Sequence, residues 1–314
     1  MQEITLGRSS LKTSRLAYGT WRIAGSWDPA AVTAKARNTG VQTLIAAYES
    51  GFTLFDLADI YCGGVSEEIM GQTLRRVNGM RARVVLATKC GIRAANDSEK
   101  GAPYRYDFSA AHIIDACEHS LGRLGVEHVD LFQLHRPDYL MDPQEVAQAF
   151  ATLEASGKVR HFGVSNFRPS QVTLLQSALK APLLVNQVEI SLAKLDCLED
   201  GTLDQCLTEG MTPMAWSPLG GGHLGEGVRK VLPSQENYRI GGVKRQLDIL
   251  AREMGTSRWL VALAWLLKHP AGIVPIIGTT RTDRIHELAA VEDIQLTREQ
   301  WYQLLTSARR QDLP

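Results

Sequence analysis

Eight short runs of apolar residues, each closed by a polar, aromatic or glycine residue and each followed by a stretch with helical spacing, constrain this chain more than any other feature. They occupy residues 16–18, 53–56, 84–88, 128–134, 159–164, 184–188, 212–216 and 273–277. Strands that are apolar throughout must be covered on both faces, which means parallel pairing with helices packed outside. Eight such βα units in 314 residues point to a (β/α)8 TIM barrel. A doubly wound sheet is the alternative, but it rarely needs eight regular units. No shift in composition divides the chain, so one domain spanning 1–314 is expected.

The intervening stretches carry helix signals. One runs from after Trp21 to about Ser50, where Gly51 ends it. Others cover 67–76, 109–124 with Ser109 as cap, 142–156 opening on Asp142-Pro143, 169–179, 201–209, 246–254, 257–268, 282–290 and 297–308. Residues 92–108 are polar and read as a loop over one end of the fold. Residues 217–242 hold many glycines and read as a second, longer loop.

Charge and composition exclude several function classes. The 34 basic residues balance 34 acidic ones, and no stretch is strongly basic, so neither nucleic acid nor an anionic membrane surface is an expected partner. The longest apolar runs are too short to span a bilayer. No basic segment followed by an apolar one stands at the N-terminus, so a cytoplasmic location is expected. Five cysteines at irregular spacing fit a reducing compartment rather than a disulfide framework.

In a barrel, chemistry gathers at the C-terminal strand ends. Here those ends read Gly19-Thr20-Trp21, Asp56, Lys89, His135, Ser165-Asn166, Gln187, Trp216-Ser217 and Gly278-Thr279. Singly, each is as well explained by a cap or a turn; together they describe a site. Asp56 ends one strand, and the phenol of Tyr61 stands in the loop that follows. A phenol with an ordinary pKa of about 10 needs a neighbouring cation to act near neutrality. Lys89, after five apolar residues on the next strand, can be that cation, and as a buried ammonium it needs a counter-charge such as Asp56. His135 either packs as a core histidine or polarises a substrate oxygen.

Other motifs fall away. Cys62, Cys90 and His135 lack the paired spacing of a zinc site, and no metal is expected. Gly220-Gly221-Gly222-His223-Leu224-Gly225 satisfies a dinucleotide fingerprint, but no convincing helix follows it, so it reads as a mobile loop.

These residues resemble the aldo-keto reductase family over nearly the whole chain. The matching motifs are Gly19-Thr20-Trp21, Asp56-Leu57-Ala58-Asp59-Ile60-Tyr61, Thr88-Lys89, Leu134-His135-Arg136-Pro137-Asp138, Gly163-Val164-Ser165-Asn166-Phe167, Asn186-Gln187-Val188-Glu189, Trp216-Ser217-Pro218-Leu219-Gly220 and Pro275-Ile276-Ile277-Gly278 with Arg284-Ile285. More narrowly, the chain is similar to bacterial oxidoreductases of the family with His-Arg-Pro-Asp after the fourth strand and Trp-Ser-Pro-Leu-Gly-Gly-Gly after the seventh. The resemblance implies a catalytic tetrad of Asp56, Tyr61, Lys89 and His135. It also implies NADP(H), bound across the barrel mouth without a Rossmann domain. By that resemblance Thr20 and Trp21 lie beside the cofactor, and Ser165, Asn166 and Gln187 match the carboxamide-holding positions. Trp216 matches the ring that stacks on the nicotinamide, Ser217 and Leu219 the loop over the pyrophosphate, and Gly278, Thr279 and Arg284 the adenosine-phosphate end.

Two positions depart from the pattern. Leu288 stands where many members carry an adenine-contacting Asn, and Ile277-Gly278 or Gly278-Thr279 where many carry Lys-Ser. Arg281 and Arg284 remain to supply positive charge, and NADP(H) is expected over NAD(H). The implied activity is reduction of aldehydes and ketones, with Tyr61 as general acid and a small carbonyl compound as substrate. With a short segment after the last helix, an open pocket and broad, weak activity are expected, from a monomer or weak homo-oligomer. A slow-turnover NADP(H)-sensing subunit is the alternative. An isomerase or aldolase using Lys89 as Schiff-base nucleophile is a third, disfavoured because Asp56 would keep that lysine charged.

Overall fold

The computed structural model describes residues 1–226, 230–238 and 240–309. Eight parallel strands close into a barrel: β1 Ala17–Gly19, β2 Leu54–Asp56, β3 Val85–Cys90, β4 Val129–Leu134, β5 Val159–Ser165, β6 Leu183–Glu189, β7 Thr212–Trp216 and β8 Val274–Ile277. The order round the barrel follows the chain, and β8 pairs with β1 to shut it. A doubly wound sheet is thereby excluded. The helices that alternate with the strands are α1 Ala34–Glu49, α2 Val65–Arg76, α3 Ala110–Leu124, α4 Pro143–Ala155, α5 Pro169–Ala178, α6 Thr202–Glu209, α7 Gly241–Glu253, α8 Arg258–Leu267, α9 Thr282–Glu287 and α10 Arg298–Arg309.

The two-residue period of a strand explains how this shell makes a site. Leu6, Ala17, Leu54, Val85, Ala87, Leu131, Leu184, Val185, Met214, Val274 and Ile276 form a small apolar cluster inside the barrel, the adjacent Leu184 and Val185 lying where the β5–β6 register shifts. Leu86, Cys90, Phe55 and Phe132 belong to the larger cluster between strands and helices. Counting on by two from the inner residues gives Lys89 after Val85 and Ala87, Asp56 after Leu54, Gln133 and His135 after Leu131, Gln187 and Glu189 after Val185, and Trp216 after Met214. On β2, β3, β4, β6 and β7 the inward row is therefore apolar at the floor and polar or aromatic at the rim, and on β1 and β8 it ends on Gly19 and Gly278. The runs read as uniformly apolar because the outward row packs against helices for the whole strand length.

Several boundaries differ from expectation. Residues 92–108 contain a two-stranded antiparallel pair, Ile92–Arg93 with Arg105–Tyr106. The expected helix at 246–254 begins earlier, at Gly241, and that expected at 282–290 ends at Glu287 and continues as a 3-10 turn, Leu288–Asp293. A hairpin of Glu3–Thr5 with Lys12–Ser14, too polar to show as a strand pair, holds the fully buried Leu6 in the barrel floor. No helix among the described residues is long and apolar enough to cross a membrane. All five cysteines are free and buried.

Candidate active site

Asp56, Lys89 and Tyr61 meet at the rim of β2 and β3. The Lys89 ammonium is fully buried. It donates to Asp56 Oδ2 at 2.9 Å, to the Leu57 carbonyl at 2.7 Å and to the Tyr61 hydroxyl at 3.2 Å. Burial alone would push this ammonium down, but Asp56 and Tyr61 outweigh it, and its pKa lies above the ordinary lysine value. Gln187, from the opposite wall, donates to Asp56 Oδ1 at 2.7 Å and fixes the carboxylate. Asp56 thus faces Lys89 and Gln187 rather than the mouth.

Tyr61 projects from a 3-10 turn, Tyr61–Gly64, whose second residue, Cys62, takes φ 49°. Burial raises the phenol, Lys89 lowers it, and the net shift is upward. Lys89 therefore does not bring the resting phenol down into the neutral range. Tyr61 stays protonated, and Lys89 offsets part of the rise that burial causes. The His135 ring stands nearly perpendicular to the Tyr61 ring, 5.8 Å between centroids. Burial, then the charges of Lys89 and Arg136, hold His135 well below the ordinary histidine range, so it is neutral at pH 7. Its buried Nδ1 has no partner among the described residues.

The expected cofactor residues line the rest of the rim. Asn166, at φ 63°, donates through Nδ2 to the His135 carbonyl at 3.1 Å and to Ser165 Oγ at 2.8 Å. Its Oδ1 accepts from the Trp216 indole at 2.9 Å. Ser165 Oγ donates to the Gln187 carbonyl at 2.8 Å, and Thr20 Oγ1 to the Asp56 carbonyl at 3.1 Å. Trp21 is 43% exposed at the mouth. Ser217 takes φ 49° and accepts from Gly220 N, so Ser217 and Leu219 lie in a tight turn. The glycine run after it forms a 3-10 turn, Gly220–Gly222, and no α-helix opens from it among the described residues. Gly227, inside the expected long loop, lies outside the described residues.

The rim is open at one edge. Gly278 is exposed, and a side chain there would meet only the Gly19 carbonyl, at 4.0 Å. The edge between β8 and β1 is therefore open. Beyond it lie Thr279, whose carbonyl accepts from Tyr18, and Arg284, 3.3 Å from Glu226. Arg281 is paired with Asp283, and Leu288 is buried. Among the described residues no cluster of His, Cys, Asp or Glu could hold a metal ion.

Residues 15–308 match the sequence profile described as the aldo/keto reductase family. The chain is 41% identical over 311 residues to a 6-dehydroglucose reductase of Agrobacterium fabrum, covering 98% of each. It is 38% identical over 319 residues to the oxidoreductase YdhF of Escherichia coli, covering 100% of each. The fold superposes with a TM-score of 0.76, at 28% identity, on an aldo/keto reductase from Klebsiella pneumoniae in complex with NADP and acetate, covering 96% of this chain and 93% of that one.

Proposed function

The chain belongs to the aldo/keto reductase family, and from that premise we propose that it is an NADPH-dependent reductase of aldehydes and ketones. One observation carries the reading: a fully buried ammonium, Lys89, bonded at once to a carboxylate and to a phenol at the strand-end rim. A purely structural ion pair has no need of the third member.

NADPH, when bound, supplies the hydride for the carbonyl carbon. The chain's own residues handle the proton and the oxygen. Tyr61 gives its proton to the oxygen as general acid. Lys89, kept charged by Asp56, stabilises the phenolate that results. Neutral His135 has one N–H to give; with Nδ1 enclosed and unpartnered, a proton on Nε2 suits donation to the substrate oxygen. Trp216, Ser165 and Asn166 would seat the nicotinamide end of the cofactor, and Ser217, Leu219, Gly278, Thr279 and Arg284 the rest. Charged Lys89 also weighs against a Schiff-base route, which needs a neutral amine.

The test is NADPH oxidation against a panel of carbonyls, repeated with NADH. Because relatives are named 6-dehydroglucose reductases, the panel includes sugar aldehydes. Tyr61→Phe is expected to lower kcat by about 10²–10⁴ while still quenching on NADPH titration. Near-native turnover by that variant would sink the assignment. A wild type that binds NADPH yet turns over no carbonyl would favour the sensing role instead.

A further inference from the structure

Around the tetrad the rim carries a cation and exposed aromatic faces that proton and hydride transfer do not use. Arg136 directly follows His135, yet its guanidinium lies 5.4 Å from the centroid of the Trp216 ring. It reaches across the mouth, because β5 and β6 stand between β4 and β7. Burial raises Tyr61, Tyr104 and Glu189 and lowers His135; the charge of Arg136 opposes the first three shifts and adds to the last, so all four groups lie within its field. Among the described residues it forms no salt bridge. Glu189, within reach of its field, accepts instead from the Tyr238 hydroxyl.

The other wall of the mouth is aromatic. Trp21 and Trp27, 43% and 53% exposed, meet edge-on at 5.3 Å between centroids. Trp27 also stands perpendicular to the Tyr61 ring at 6.4 Å. Large exposed indoles beside a proton donor are surfaces waiting for a ligand. An indole face takes up C–H surface, and a guanidinium offers several coplanar N–H donors. A simple alkanal would use the indoles and leave Arg136 without an acceptor. An anion would use Arg136 but meet Glu189 in the same field, which offsets the attraction. A neutral molecule with C–H faces and neighbouring hydroxyls satisfies both walls.

Building on the carbonyl-reductase reading, we propose that Arg136 and Trp27 select polyhydroxylated, aldose-type aldehydes, Arg136 donating to the hydroxyls and Trp27 covering the C–H face. Both are specificity residues and neither takes part in proton transfer.

Three four-carbon probes isolate the chemistry: D-erythrose, butanal and succinic semialdehyde, each with NADPH. The wild type is expected to favour erythrose over butanal and over succinic semialdehyde by at least about tenfold in kcat/KM, the worth of one charge-assisted hydrogen bond. Arg136→Ala and Trp27→Ala are each expected to lower the erythrose-to-butanal ratio by about tenfold, chiefly through KM for erythrose. Arg136→Lys and Trp27→Phe should lower it by less, and they replace the alanine variants if circular dichroism shows those unfolded. A wild type preferring butanal or succinic semialdehyde overturns the proposal. So does a ratio that neither substitution moves, or an Arg136 variant that raises KM for NADPH and leaves the ratio alone. Turnover of none of the three, nor of any other carbonyl, defeats the reductase reading itself, a result distinct from reduction without hydroxyl preference.

Discussion

Asp59 sits three residues past Asp56 and has a different fate. Its backbone N–H bonds to the Lys89 carbonyl at 3.1 Å, but its Oδ1 is sealed from solvent with no partner. Burial, reinforced by nearby Glu67, pushes this carboxyl up from an ordinary 3.8 to about 7. Between those values the folded protein holds a proton that the unfolded chain has lost. Stability is then lost as pH rises through that window, by up to about 1.4 kcal/mol per pH unit. Asp59→Asn removes the titration and keeps the shape. Its melting temperature is expected to exceed that of the wild type at pH 8, with the gap closing towards pH 4. A gap independent of pH, followed by calorimetry, would show that the carboxyl is not the cause. Lys89→Met makes the complementary case. It strands Asp56 in the interior, for which about 3–5 kcal/mol of stability should be lost in denaturant titration, together with turnover. Sequence alone could set Asp56, Tyr61, Lys89 and His135 on neighbouring strand ends. It could not show the Gln187–Asp56 bond, which joins positions 131 residues apart. Nor did it single out Trp27, whose one signal is an aromatic residue in a polar stretch soon after Gly19-Thr20-Trp21.

At the scale of elements, the α2–α3 crossing makes a sharp demand on residue type. A Cβ at Gly71 would lie 2.6 Å from the Leu124 carbonyl oxygen and 2.7 Å from that of Arg123. Both are backbone atoms and cannot rotate away. Helix propensity alone would make Gly71→Ala a gain of about 1 kcal/mol; here the helices would have to part, and a net loss of about 1–3 kcal/mol is expected. Below the same pair, fully buried Glu67 accepts from Thr88 Oγ1 at 2.6 Å and pairs with Arg123 at 2.7 Å, tying both helices to β3. The caps are the more legible signals. Asp142 before Pro143 does accept from Gln144 N, at 2.9 Å. Asp142→Ala should lower stability by about 1 kcal/mol, read as a shift in the urea midpoint at unchanged slope. The strands were legible because both their faces are packed. The Glu3–Thr5 hairpin and the Ile92–Arg93 pair were not, because short, half-exposed strands carry no unbroken apolar run.

Across the whole molecule, the segment after β7 links distant parts of the rim. Tyr238 donates to Glu189 at the end of β6, Arg258 in α8 donates to the Gly225 carbonyl at 3.1 Å, and Glu226 lies 3.3 Å from Arg284 in α9. The last contact bears on cofactor choice. Arg284 is the cation assigned, in the NADPH reading, to the adenosine phosphate, and it faces a carboxylate from the segment that would cover the pyrophosphate. A 2′-phosphate must compete with Glu226 for that guanidinium. Glu226 is itself largely exposed, so the pair is worth no more than about 1 kcal/mol. Glu226→Gln should therefore tighten NADPH binding by about two- to fivefold and leave NADH affinity unchanged, since NADH lacks the competing phosphate. The gain should shrink as salt is raised, because both groups face solvent. Fluorescence titration of the two cofactors at low and high ionic strength reads all three effects. Equal tightening of NADPH and NADH would mean that Glu226 restrains the segment as a whole, and that the 2′-phosphate is held by other groups.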